Sequence, residues 1–154
     1  MHHEVTLLDR LNSPATMMEA ERELLMRGEA CITVLEAILD NTATNAFGIA
    51  YGRLGLPRQC AQEMAVRLGP NAKPLERLLA TDASNGHTTA VRALAALGSL
   101  EVASVKTLVE NMTSADFDLA EESALALVKT GHAGVAKAAA TTRRLQDRIA
   151  KWSL

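Results

Sequence analysis

A short apolar run closing on glycine recurs along this chain, and no other feature constrains the fold as much. It reads ERELLMRG from Glu21 to Gly28, EMAVRLG from Glu63 to Gly69, VRALAALG from Val91 to Gly98 and SALALVKTG from Ser123 to Gly131. A glycine after a helix-compatible run supplies the left-handed residue on which helices commonly end. Recurrence at roughly 25 to 45 residues marks stacked supersecondary units, each too small to bury its own apolar face. The expected fold is all-α: an α-solenoid of stacked antiparallel helix pairs, forming one domain over the 154 residues.

Reading backward from each glycine divides the chain into units of helix pairs, A then B, at about 4–28, 29–69, 70–98 and 99–131. In the first, a helix from about Glu4 to Asn12 is followed by Ser13 as cap and Pro14 as first helical residue of the B helix. In the second, the A helix turns Ile32, Leu35, Ile38 and Leu39 inward, and the B helix starts at Pro57 and turns Ala61, Met64, Ala65 and Leu68 inward. Between them lies an insertion, 41–55, with Gly48, Gly52 and Gly55. The third unit places Leu75, Leu78 and Leu79 on one apolar face and Ala90, Ala93, Leu94 and Leu97 on the other. The fourth does so with Val102, Val105, Leu108, Val109 and Met112, then Ala120, Ala124, Leu127 and Val128. A single capping helix over 133–152 closes the stack, with Arg143, Arg144, Arg148 and Lys151 toward water and Trp152 as a seal.

Composition supports close helix packing. Hydrophobic residues make up 48% of the chain but aromatics only 3%, so Ala, Leu, Val and Met must pack small against medium. Cys31 and Cys60 fall on Ala-rich segments and read as buried thiols, while the scattered His2, His3, His87 and His132 lack ligand partners. No metal site and no cofactor is expected. Apolar stretches fall short of the roughly 18 residues of a membrane span, and the N-terminus lacks the apolar core of a signal peptide, so the expected location is the cytoplasm.

The segment PLERLLATD (Pro74 to Asp82), followed by Val91, Arg92 and the ending ALAALG, resembles the HEAT-like, armadillo-type helical repeat family and its short bacterial members. Two departures stand out: Val91 and Arg92 sit about two places later than the family's pattern, and the second unit carries an insertion. The resemblance implies that B helices line a concave surface that binds another macromolecule. Arg22, Glu23, Arg58, Gln62, Glu63, Asn85, His87, Thr88, Arg92, Asp118, Glu121 and Glu122 are the residues expected to make those contacts. Phe47 and Tyr51, one helical turn apart in the insertion, are either a second anchor or filling between units.

No catalytic constellation is present: no phosphate loop, no His-Glu-x-x-His, no nucleophile elbow. The chain is therefore expected to be a non-enzymatic module for a protein partner, in one version a bacterial immunity protein or antitoxin. The alternative is an enzyme accessory subunit or lyase-like protein acting on a small ligand, since bilin lyases and one family of DNA glycosylases are similar to HEAT solenoids. Either a monomer or a homodimer is consistent with exposed end units. Residues before His132 carry 17 acids and 11 bases, the last 23 residues one acid and five bases, an asymmetry that can steer a charged partner. Nucleic acid is disfavoured because no basic face repeats from unit to unit.

Overall fold

The computed structural model describes residues 6–153. Its helices are α1 (Leu7–Arg10), α2 (Met17–Leu25), α3 (Glu29–Leu39), α4 (Gly55–Leu68), α5 (Glu76–Ser84), α6 (Thr88–Ala96), α7 (Val102–Asn111), α8 (Phe117–Lys129), α9 (Ala133–Ala139) and α10 (Arg143–Trp152). Two 3₁₀ segments, Tyr51–Arg53 and Gly69–Leu75, precede α4 and α5. The described residues are all-helical apart from one isolated antiparallel bridge, Thr44 to Ala50.

The helices form two layers. In one, α3 packs on α5, α5 on α7 and α7 on α9; in the other, α2 packs on α4, α4 on α6, α6 on α8 and α8 on α10. Consecutive helices join the layers, α3 to α4, α5 to α6, α7 to α8 and α9 to α10. One apolar core runs between them from Leu11 to Ile149. Ala20, Ala61, Ala65, Ala90, Ala93 and Ala124 are fully buried. They let the second layer's backbones approach closely, while each fully buried leucine contributes roughly 2 kcal/mol of transfer free energy. The closing glycines perform the turn their pattern suggests: Gly28, Gly69, Gly98 and Gly131 have φ of 61°, 58°, 82° and 87°.

Several local expectations are corrected. Glu4 and Val5, which open the expected first helix, lie outside the described residues; the helix there is the short α1, held by a reciprocal cap between Thr6 and Asp9. The next helix begins at Met17, not Pro14. The Ser13 carbonyl accepts from both Thr16 and Met17 N–H, and the Thr16 hydroxyl donates back to the Arg10 carbonyl at 2.6 Å, using those residues for a turn. α5 begins only at Glu76, because Pro70 and Pro74 shape the segment before it into a 3₁₀ connection.

Val102, assigned to the core, stands at the first position of α7 and is 86% exposed. The capping helix is two helices. The chain leaves helical geometry at Ala140, whose ψ is 121°, and Thr142 recaps it by accepting from Leu145 N–H at 3.2 Å. This break turns α10 so that Leu145 and Ile149 are buried and Trp152 packs on the chain's own core.

Candidate functional site

Residues 54–88 bring together an arginine, an aspartate, a glutamine and a histidine. Arg58 and Gln62 lie one turn apart on α4, Asp82 on α5, and His87 in the turn that Gly86, with φ of 90°, makes into α6. Arg58 Nη1 donates to both Asp82 carboxylate oxygens, at 2.6 and 2.7 Å. Its Nε donates to the Gly52 carbonyl, and Nη2 to the Leu39 carbonyl and Asn41 Oδ1 at 3.0 Å each. Asn41 ends α3 in the left-handed region, φ 65°, which its short polar side chain tolerates and which carries Oδ1 to the guanidinium. A Cβ on Gly52 would overlap the Ile38 carbonyl and the Asn41 side chain, so glycine is required there.

Gln62 Nε2 lies 2.8 Å from Asp82 Oδ2 and 2.9 Å from His87 Nδ1. A carboxylate only accepts, so the amide nitrogen faces Asp82 and its second proton goes to His87 Nδ1. This chain of bonds places the imidazole proton on Nε2. The network thus fixes a histidine's tautomer at the rim of a cleft of about 310 Å³ lined also by Gly55, Gln59, Thr88 and Thr89. It also corrects two expectations. Gln62 is only 2% exposed and Arg58 is saturated by the chain itself, so neither is a free contact for a partner.

A second group assembles where α6 lies beside α8. Thr88, Arg92, Asp116, Asp118, Glu121 and Glu122 line a cleft of about 420 Å³. Asp116 caps α8 by accepting from Asp118 N–H at 3.0 Å and Leu119 N–H at 3.3 Å. Carboxylates at this end also complement the helix dipole, which makes their crowding tolerable. Arg92 reaches across to Glu122 at 3.4 Å. Farther along these helices, Ala95, Ala96, Leu125, Ala126 and Lys129, with Val66 of α4 and with Arg92 and Glu122, line a more apolar cleft of about 390 Å³. The two clefts lie end to end along α6 and α8, a groove that the Arg92–Glu122 pair crosses where they meet.

Of the remaining expected contacts only Asn85 borders these groups. Arg22 and Glu23 are exposed on α2, where Glu23 pairs with Arg10 at 2.9 Å. Half-buried Glu63 lies on α4, in weak contact with Gln59 at 3.4 Å, and exposed Asn85 lines the approach to Arg58. Phe47 and Tyr51 do not share a helical face. The insertion is a tight loop, in which Asn45 Oδ1 accepts from Phe47 and Ile49 N–H, leading into the 3₁₀ segment. Phe47 is 87% exposed, whereas Tyr51 is buried and donates to Asp9 Oδ1 at 2.5 Å.

Two participants were not singled out from sequence. Asp82 looks like an ordinary helix end. The basic C-terminal helix folds onto the acidic end of α8, with Arg148 3.6 Å from Glu121 and the Arg144 guanidinium 3.8 Å from the Phe117 ring centroid. A charge count along the chain carries the signal of opposite ends but not of their contact.

Burial raises the Cys31 thiol, and burial beside the Glu21 carboxylate pushes Cys60 up to about 12, so both are poor nucleophiles. Among the described residues no cluster of three His, Cys, Asp or Glu side chains is placed to hold a metal ion, and no helix is long and apolar enough to cross a membrane. No family model, curated protein or solved structure matches the chain.

Proposed function

We propose that the chain is a HEAT-like α-solenoid that binds a protein partner, without catalysis of its own, through the layer formed by α2, α4, α6 and α8. The observation that carries the reading is the groove between α6 and α8. It is long, open, charged at one end and apolar at the other, which suits a polypeptide better than a compact metabolite. The layered helix pairs and the glycine-closed repeats support the solenoid part. An immunity or antitoxin role is one form such a module takes.

Photo-crosslinking in the organism that encodes the protein tests this. A benzophenone amino acid placed at Gln59, Thr89 or Lys129 samples the proposed layer, and at Lys106 or Lys137 the opposite one. The expected result is one adduct protein, formed from the first set only. Equal labelling from both faces, or none from either, defeats the proposal. The second reading, a small-ligand protein, is favoured by one feature, the oriented His87 beside an open cleft. It predicts that His87→Ala changes a ligand-dependent melting shift while Asp118→Lys does not.

A further inference from the structure

The groove between α6 and α8 has a polarity that specifies its occupant more closely than protein in general. α6 and α8 run in the same direction, since the first turn of one and the first turn of the other line the acidic cleft and their later turns line the apolar one. At the acidic end Asp116, Asp118, Glu121 and Glu122 line the cleft with Arg92; Glu122 pairs with Arg92 and Glu121 with Arg148, which leaves the exposed Asp118 facing the groove. At the other end half-exposed Leu125 lies with Val66, Ala95 and Ala126, and exposed Lys129 stands at the rim. From Asp118 to Leu125 α8 rises about 10 Å.

We propose that this groove binds a peptide segment of a partner that carries Lys or Arg at one end and a bulky apolar side chain about 10 Å away. That separation is about seven residues along a helix at about 1.5 Å each. Along an extended strand it is about three residues at about 3.3 Å each. The basic end lies over Asp118, and the apolar side chain lies beside Leu125. The inference rests on the reading of this layer as a protein-binding face.

Charge complementarity decides the class of occupant. A field of this sign repels phosphate, which removes nucleic acid and anionic lipid. An acidic peptide is excluded for the same reason. The chain's own α10 shows what the end of α8 accepts: it places Arg148 against Glu121 and Arg144 over Phe117 from the outer side. Asp118 is exposed and remains available on the groove side. The apolar half supplies what charge alone lacks, since exposed ion pairs contribute little affinity and a bulky side chain removed from water contributes more.

The test is selection from a random dodecapeptide library displayed against the purified full chain, followed by fluorescence polarisation with the enriched peptides. The expected peptides pair Lys or Arg with Leu, Met or Phe at one of the two spacings. Asp118→Lys and, separately, Leu125→Gln each weaken binding about tenfold, the first more at low salt than at high. Glu110→Lys, exposed on α7 in the opposite layer, leaves binding unchanged, and thermal melts show each variant folded. Enrichment of acidic peptides, or binding indifferent to both groove substitutions, overturns the proposal. Peptides that instead lose binding with Gln59→Lys leave the protein-binding layer standing and move the site to α4. Absence of any enriched peptide overturns both this inference and the reading beneath it.

Discussion

Replacing Arg58 with alanine should destabilise the protein by about 3 kcal/mol, toward the lower end of the cost of removing one partner from a buried ion pair. The magnitude follows from what the change strands. The guanidinium donates to Gly52, Leu39, Asn41 and both oxygens of Asp82. Without it the Asp82 side chain, only 7% exposed, keeps Gln62 as its remaining partner. Arg58 itself retains 13% exposure, so water softens its loss, which is why the lower end applies. For a chain of this size about 3 kcal/mol lowers Tm by roughly 6 to 12 °C.

Urea unfolding followed by circular dichroism measures the loss, and a double-mutant cycle with Asp82→Ala isolates the pair. The double variant should be more stable than the sum of the single losses predicts, because removing both charges strands neither. A single-variant loss under about 1 kcal/mol, or strict additivity in the cycle, refutes the argument. The result also bears on function: loss of a partner on Arg58→Ala would report a damaged fold, so contact mapping belongs at Asp118 or Arg92.

The remaining expectations concern other locks and one free side chain. The Tyr51 hydroxyl, opposed by burial and aided by Thr6, holds the Asp9 carboxyl below its ordinary 3.8. A depressed carboxylate contributes stability above the unfolded value and loses it as pH falls through the folded one. Tyr51→Phe should therefore cost about 1 kcal/mol at neutral pH, with the gap from the parent closing below pH 3.8; a gap unchanged by acid counts against it. Glu76 follows the same sign: burial raises its carboxyl, but Lys73, the Ser104 hydroxyl and Glu101 N–H more than offset that and leave it below 4.5. Glu76→Gln should cost about 2 kcal/mol at neutral pH in urea titrations, less as pH falls below 4.5. Iodoacetamide at mildly alkaline pH should leave Cys31 and Cys60 unmodified by mass spectrometry until urea is added; native labelling would contradict their burial and raised thiols. Phe47→Ser should change stability by no more than about 0.5 kcal/mol in a thermal melt, since the ring is largely in water.

Periodicity and punctuation alone determined the helical class, α3, α6 and α8 to within a few residues, the end of α4 at Leu68 although it starts at Gly55 and not at Pro57, and the function of the closing glycines. These are short-range matters: an apolar stripe at helical spacing and a residue able to take positive φ are properties of ten consecutive positions. The candidate groove was half legible, because Thr88, Arg92, Asp118, Glu121 and Glu122 belong to helices whose outward faces the stripe defines. What only the tertiary structure decided is which polar groups turn inward. Arg58 and Gln62 have the spacing of solvent-facing residues, yet Asp82, 20 positions beyond Gln62, draws them inside. Tyr51 leaves Phe47 to water because Asp9, 42 residues earlier, binds its hydroxyl. The C-terminal helix breaks at Ala140 so that Leu145 and Ile149 can reach the core. In each case a partner distant in sequence compensates a desolvated polar group or an apolar face, and periodicity along one helix carries no record of that partner.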